Sequence, residues 1–488
     1  MHVPHNRWSS WSVALIGTVS ALRCLGAAAL LLAAVTPVLA APAGATPSAS
    51  ELGHVGRWLT DEGGRVITLH GVNLVYKYPP YFPAAGGFGD SDAQVLADNG
   101  FNVVRLGFAW SAVEPQPGVY DEDYIAQIQQ TQQVLARHRI YALVDSHQDG
   151  FNELVGASWS GFPDWAAFPD GLPMPPNLGL AGAYLLSPAQ NRTWANFWSD
   201  HPASDGIGVQ EHYAAMWSHV AQYFADQPYV LGYDLVNEPW PGVRYPVCLA
   251  DGCPDFSRDA LAAFEGKAMQ AIRQADQRHL LFYEPFLTTD FGAPVRMPDP
   301  TGDPNAGMSF HDYCLGPVHT CPANGFDSTR AESTVGLVTE FGATDDQATL
   351  ARVTGSLDDN MASWMLWSYS QNQLPSHPQA PPTGANLMSP GAGVVRPYPQ
   401  AVAGTPQSWQ YDPATATFTL RYDTAPVDPG RPFASDARTE VFLPAGDYPN
   451  GYQVQVDGAD VMSAPDAGLL ELRAAPGQGT VQLTVTAR

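Results

Sequence analysis

Positive charge is scarce in this chain. Against 48 Asp and Glu stand only 23 Lys and Arg, for a formal net charge of −25. So acidic a surface repels phosphate backbones and anionic membranes, which argues against nucleic-acid binding. Cysteine is sparse as well, five in 488 residues. No Cys pair has the two-residue spacing of a zinc site, and no His pair stands at ligand spacing on one helix, so neither a metal nor any other cofactor is expected. Charged residues of both signs make up 15% of the chain, while Gly and Pro number 45 and 44. That composition excludes a coiled coil and a charge-rich disordered chain. With 45% hydrophobic residues it describes a loop-rich globular protein, long enough for a large domain and a smaller one.

Long apolar runs are missing too, with one exception. "LGAAALLLAAVTPVLA" (residues 25–40) ends in small residues, Arg7 and Arg23 are the only Lys or Arg before residue 41, and no acid precedes Glu51. This predicts a secretory signal peptide over residues 1–40, cleaved near Ala40, and a secreted protein. An uncleaved anchor is the alternative, for which the run is short. Export permits disulfides. The remaining cysteines form two close pairs, so Cys248–Cys253 and Cys314–Cys321 are the expected bridges, with a zinc site as the rival reading.

From about residue 55 to 370, short and nearly continuous apolar runs alternate with amphipathic stretches such as Tyr124–Arg137 and Val209–Asp226. There are eight such runs, from "RVITLHGVNLV" to "NMASWMLWSY". Runs of this kind fit parallel strands covered on both faces, and eight repeats predict a (β/α)8 barrel over residues 41–395. After a Pro-rich junction the texture turns to alternating short strands, as in "ATFTLRYD" and "GTVQLTVTAR", which predicts an antiparallel β-sandwich over residues 396–488.

In a (β/α)8 barrel the site lies at the C-terminal ends of the strands. Unusual polar residues gather there: Asn73 and Lys77 with the first strand, Arg105 on the second, His147 and Asp149 at the third. The fourth ends at Asn237 and Glu238, the fifth at Glu284, the sixth at His311 and Tyr313, the seventh at Glu340 and the eighth at Trp367. Glu238 and Glu340 end opposed strands. Two carboxyls facing one another ~5–5.5 Å apart are what a retaining glycosidase requires. Arg105 and Tyr313 are suited to hold one of them ionised. Asn237 is suited to bond a sugar hydroxyl, His147 and His311 to orient carboxyl protons, and Trp367 to floor a sugar ring.

"LVNEP" and "VTEFG" resemble the acid/base and nucleophile motifs of glycoside hydrolase family 5, in clan A. Arg105 in "VVRLGF", His147 in "DSHQD", His311 and Tyr313 in "FHDY" and Trp367 in "LWSY" fill the family's other site positions. By that resemblance Glu238 is the acid/base and Glu340 the nucleophile. "GVNLVYKYP", "HQDGF", "FPDWAAFPDGLPMPP" and "RPYPQAVAGTPQSW" are further similar to endoglycoceramidases of actinobacteria, including the endogalactosylceramidase branch. The resemblance covers most of the chain. It implies hydrolysis of the bond between glycan and ceramide in a glycosphingolipid, with Lys77 and Asp149 binding substrate and no obligate protein partner.

The insert of about residues 150–200 is long for a barrel loop and rich in aromatics, Trp165 among them. It is read as an apolar, substrate-binding surface for acyl chains at a membrane or micelle, or else as a self-packed lid. An endoglucanase or β-glucosidase of soluble glycans, and a non-catalytic glycolipid-binding protein, remain the rival functions.

Overall fold

The eight apolar runs become eight parallel strands closed into a barrel. They are β1 (His70–Leu74), β2 (Val103–Phe108), β3 (Tyr141–Ser146), β4 (Val230–Asp234), β5 (Leu280–Tyr283), β6 (Ala306–Asp312), β7 (Val335–Phe341) and β8 (Ser363–Leu366). The computed structural model describes residues 51–156, 159, 161–174, 179–313, 321–344, 346–369 and 393–488. The expected signal peptide and the Cys314–Cys321 pairing lie outside the described residues. Cys248 and Cys253 are disulfide-bonded as expected. No helix among the described residues is long and apolar enough to cross a membrane.

Inside the barrel the side-chain period of two sorts residues by height. Leu69, Val103, Leu143, Leu231, Leu280, Leu337 and Met365 pack into one buried apolar floor. Two residues further along most strands the inward position turns polar: Arg105 follows Val103, and Asp145 and then His147 follow Leu143. Gly71, between Leu69 and Asn73, leaves no room for a side chain, since a Cβ there would sit 2.0 Å from the Val103 carbonyl oxygen. Two bulges break the period where it matters. Pairing skips Leu231 in β4 and Thr339 in β7. Each extra residue shifts the phase, so Asp234 and Glu340 turn inward beside Leu231 and Leu337. Bulges of this kind re-aim side chains next to active sites.

Helices Glu122–Arg137, Val209–Phe224 and Ala263–Ala275 cover the outside with amphipathic faces. Asp121 caps the first by accepting the Tyr124 N–H at 2.9 Å.

The C-terminal residues build two antiparallel sheets around a core that includes Trp409, Phe418, Tyr422, Leu472 and Val485. The linear division of the chain is corrected here. Strands Gly53–Val55, Trp58–Thr60 and Val66–Ile67, read from sequence as part of the barrel segment, join the sandwich, where Ala401 and Val402 pair with Ile67 and Val66. Tyr398–Val402 would otherwise present an unpaired edge, and these strands cover it. "RVITLHGVNLV" thus splits between a sandwich strand and β1.

Candidate active site

Arg105 organises the barrel mouth. It is fully buried and spends its donors on five partners. Nε donates to Asp234 at 2.7 Å, Nη1 to Glu340 Oε1 at 2.6 Å and Asn73 at 3.2 Å, and Nη2 to Asp145 and Asn237, both at 3.0 Å. Glu284 lies 3.7 Å away. Burial works against the guanidinium charge, but these four carboxylates outweigh it and hold its pKa above the ordinary range. Tyr313 completes the grip on Glu340, its hydroxyl donating to Oε2 at 2.7 Å.

Glu238 sits differently. His311 Nδ1 lies 3.0 Å from its Oε1. Its backbone is in the left-handed region, with φ of 47°, and its N–H donates to Glu284 Oε1 at 2.9 Å. A non-glycine residue holds that conformation only when its surroundings impose it. Gln148 helps by donating to the carbonyls of Asn237 and Glu238 at 2.7 and 2.9 Å. Glu284 is fixed in turn, its own N–H donating to Glu265 on helix Ala263–Ala275 at 2.9 Å. Glu284→Ala is therefore expected to lower kcat by about 10–100-fold by releasing the Glu238 backbone, with less effect on KM; steady-state kinetics with a melting curve checks this.

Carboxyl oxygens of Glu238 and Glu340 and a ring nitrogen of His311 all lie within 4.8 Å of one another. Two buried acids and an imidazole could ligate a cation, but Arg105 already puts a positive charge on Glu340. The surroundings split the two acids. Burial pushes Glu238 up to about 8, helped by the negative charge of Asp149. Burial also pushes Glu340 up, to about 7, against the pull of His311 and Arg105 and the Tyr313 hydrogen bond. Glu340 thus ionises first, and the proton stays on Glu238. Burial, with Glu340 adding, also keeps the Tyr313 hydroxyl protonated and a donor.

A second wall carries Lys77, Asp149, His147 and Trp367. Lys77 pairs with Asp149, which also accepts from Trp159 Nε1 at 2.7 Å. The Lys77 ammonium lies 4.4 Å from the Trp367 ring centroid, and His147 stacks on Trp367 with centroids 5.2 Å apart. His147 Nδ1 lies 2.8 Å from Asp145, while Nε2 has no hydrogen-bond partner. Burial and the Lys77 charge hold this ring neutral. Asn237 gives its side-chain oxygen to Arg105 and donates one N–H to the Gln148 carbonyl at 2.9 Å.

Of the site residues expected from sequence, only Trp165 falls elsewhere. It packs edge-on against Trp110 and His212 on the barrel flank, and its Nε1 donates to the Glu114 carbonyl at 2.9 Å. Its ring fills the seam between Trp110–Val113 and helix Val209–Phe224. Of the insert's other apolar residues, the aromatics Phe151, Trp159, Phe162 and Tyr184 are buried, while the aliphatic Leu154, Leu172, Met174 and Leu186 are exposed. Sequence reasoning missed Asp145 and Asp234, and left Glu284 without a role. An acid within an apolar strand run was the available signal for Asp145 and Asp234.

The profile described as cellulase (glycosyl hydrolase family 5) matches residues 60–373. That of the glycoside hydrolase family 5 C-terminal domain matches residues 396–486. Endoglycoceramidase I of Rhodococcus hoagii (strain 103S) is 32% identical over 455 residues, 88% of this chain and 87% of that protein. Endo-glycoceramidase II from Rhodococcus sp., solved as a lactosyl-enzyme intermediate, superposes with a TM-score of 0.70 at 29% identity, over 88% of this chain and 100% of that one. The crystal structure of an endogalactoceramidase does so with a TM-score of 0.70 at 25% identity, over 90% and 100%.

Proposed function

The chain belongs to glycoside hydrolase family 5, and from that premise we propose a secreted, retaining hydrolase that separates glycan from ceramide in glycosphingolipids, with Glu340 as nucleophile and Glu238 as acid/base. The observation that carries the chemistry is the pair of carboxyl oxygens within 4.8 Å, one gripped by Arg105 and Tyr313 and the other held protonated by burial. Inverting enzymes leave ~6.5–9.5 Å between the carboxyls for a water molecule. The nearest carboxyl oxygens here are closer than that, which supports direct attack by Glu340.

In the first step Glu340 attacks the anomeric carbon as Glu238 gives its proton to the departing oxygen, releasing the aglycone as an alcohol. In the second, Glu238, now ionised, takes a proton from water, whose oxygen displaces Glu340. Two inversions restore the β configuration. Arg105 and Tyr313 hold the carboxylate in line for attack and accept its charge back on departure. Lys77, Asp149, His147 and Trp367 offer a cation, an acceptor, an unpartnered ring nitrogen and a flat apolar face to the sugar.

A lipid aglycone is supported by the relatives' described activities and by the rim. Leu154, Leu172, Met174 and Leu186 after β3, and Val243 and Val247 after β4, are exposed on loops that open on the catalytic face. Such a concentration fits contact with acyl chains at a micelle or membrane surface. The net charge of −25 favours a neutral surface. Secretion is supported by the N-terminal leader pattern and by the Cys248–Cys253 bridge.

Assay on a panel of glycosphingolipids in neutral detergent, beside cello-oligosaccharides, tests this reading. Intact oligosaccharide and ceramide are expected as products. Cleavage of the soluble glucans alone overturns the ceramide assignment. The pH profile follows from the two acids. Activity should fall as pH drops through the ionisation of Glu340, about 7, and as it rises through that of Glu238, about 8. A bell centred between them is expected from kcat/KM measured against pH.

A further inference from the structure

Asp290 is the most unusual charged residue that the chemistry above leaves unused. It lies in the turn Leu287–Phe291, just after β5. Its residue is 1% exposed, and neither carboxyl oxygen has a hydrogen-bond partner. Glu238, Glu340, Asp145, Asp149, Asp234 and Glu284 each hold at least one. A dry carboxyl without a partner is destabilising, and such a group persists where a ligand supplies the missing bond.

Its position says which part of a ligand that is. Asp290 Oδ2 lies 3.9 Å from His311 Nδ1, the same nitrogen that lies 3.0 Å from Glu238 Oε1. Asp290 and Glu238 therefore flank one imidazole edge, while the Nε2 edge faces Glu284 and Glu340 at 3.6 and 3.8 Å. The turn is also tied to the segment after the acid/base, the Leu287 N–H donating to the Pro239 carbonyl at 3.0 Å. Helix Tyr245–Asp251, which carries the exposed Val247, packs against this turn. Asp290 thus stands between the group that protonates the leaving oxygen and the apolar rim.

Resting on the glycosphingolipid reading above, the geometry points to Asp290 as the polar anchor for the leaving group, accepting a hydrogen bond from an amide N–H or hydroxyl close to the cleaved oxygen. Ceramide carries its amide nitrogen on the second carbon from that oxygen and a hydroxyl on the third. A simple alkyl chain carries neither. Burial and the charges of Glu238 and Glu340 raise the Asp290 pKa well above the carboxylate range. The carbonyl oxygen of a neutral acid still accepts the bond. Asp290 is then a specificity residue for lipids with donors at the linkage.

The test compares two substrates bearing the same glycan in the same neutral detergent: a glycosylceramide and a dodecyl β-glycoside. Asp290→Leu is expected to lower kcat/KM for the ceramide by about 10–100-fold, because the donor loses its acceptor. It should leave the dodecyl glycoside within about twofold of wild type. Asp290→Asn, which keeps a carbonyl acceptor, should recover most of the ceramide activity, and melting curves confirm that both variants fold. An equal fall on both substrates overturns the assignment, because Asp290 would then act through Glu238. No fall on either overturns it too. If the wild type cleaves the dodecyl glycoside and not the ceramide, the substrate reading itself fails, which is seen before any variant is made.

Discussion

Replacing Glu340 with Ala is expected to lower kcat by on the order of 10⁵-fold, and added azide is expected to restore turnover with an α-glycosyl azide as product. The size follows from the role. Without the carboxylate no covalent intermediate forms, and the remaining groups supply only binding and charge stabilisation. The stereochemistry is the sharper readout. Azide fits where the side chain was and attacks the anomeric carbon once, from the face opposite the aglycone, so the product is inverted. Arg105 and Tyr313, which otherwise bond Glu340 at 2.6 and 2.7 Å, would then face the small anion. Phenolate release from an activated aryl glycoside gives the rate, and proton NMR gives the anomer. A β-azide, or wild-type rates, would remove Glu340 from the nucleophile's place.

Glu238→Ala should behave in the opposite way. On a lipid substrate, whose alcohol leaves poorly without a proton, a loss of about 10²–10⁴-fold is expected. On a dinitrophenyl glycoside, which leaves unaided, the first step should survive and the second should stall. The expected trace is a burst of one equivalent of phenol followed by slow turnover. Azide then attacks the trapped intermediate without needing a base and gives the β-azide. The alkaline limb of the pH profile should vanish in this variant, since the group that keeps its proton up to about 8 is gone. Loss of the burst, or an unchanged lipid rate, would contradict the role. Because His311 lies 3.0 Å from Glu238 and within 3.8 Å of Glu340, its removal would blur both roles, so the carboxylates themselves are the residues to vary.

Much of this site was legible in the sequence because (β/α)8 barrels write it at regular places. Each apolar run marks a strand, and the unusual polar or aromatic residues at its C-terminal end mark the mouth. Arg105, His147, Glu238, His311 and Trp367 were found that way. What the pattern hides is phase. Strict alternation from Leu337 sends Thr339 inward and Glu340 outward; the bulge at Thr339 reverses this, and only the pairing of β7 with β6 reveals it. Asp145 and Asp234 escaped because they sit within strands and look like interruptions of the core, whereas they neutralise Arg105. Asp290 escaped because "FLTTDF" reads as an ordinary turn and its isolation is a property of three dimensions. Lys77 and Asp149, expected from the sequence to bind substrate, pair with each other in the structure.

Trp165 shows how packing directs an aromatic. Aromatic density in the insert gave the right amount of apolar surface but no direction. Trp110 packs against Phe162 and Trp165, and Tyr213 against Phe162, so the insert supplies rings to neighbouring elements. The small strands between Gly53 and Ile67 are two or three residues each, too short to carry an alternating pattern, so their place in the sandwich could come only from pairing.

The most direct measurement is to trap the intermediate. The protein is incubated with a 2-deoxy-2-fluoro glycoside bearing an activated leaving group, digested with pepsin and analysed by mass spectrometry. One sugar per protein, attached to Glu340, is the predicted result; a label on another carboxylate, or an α-configured product formed with no adduct at all, would contradict the account.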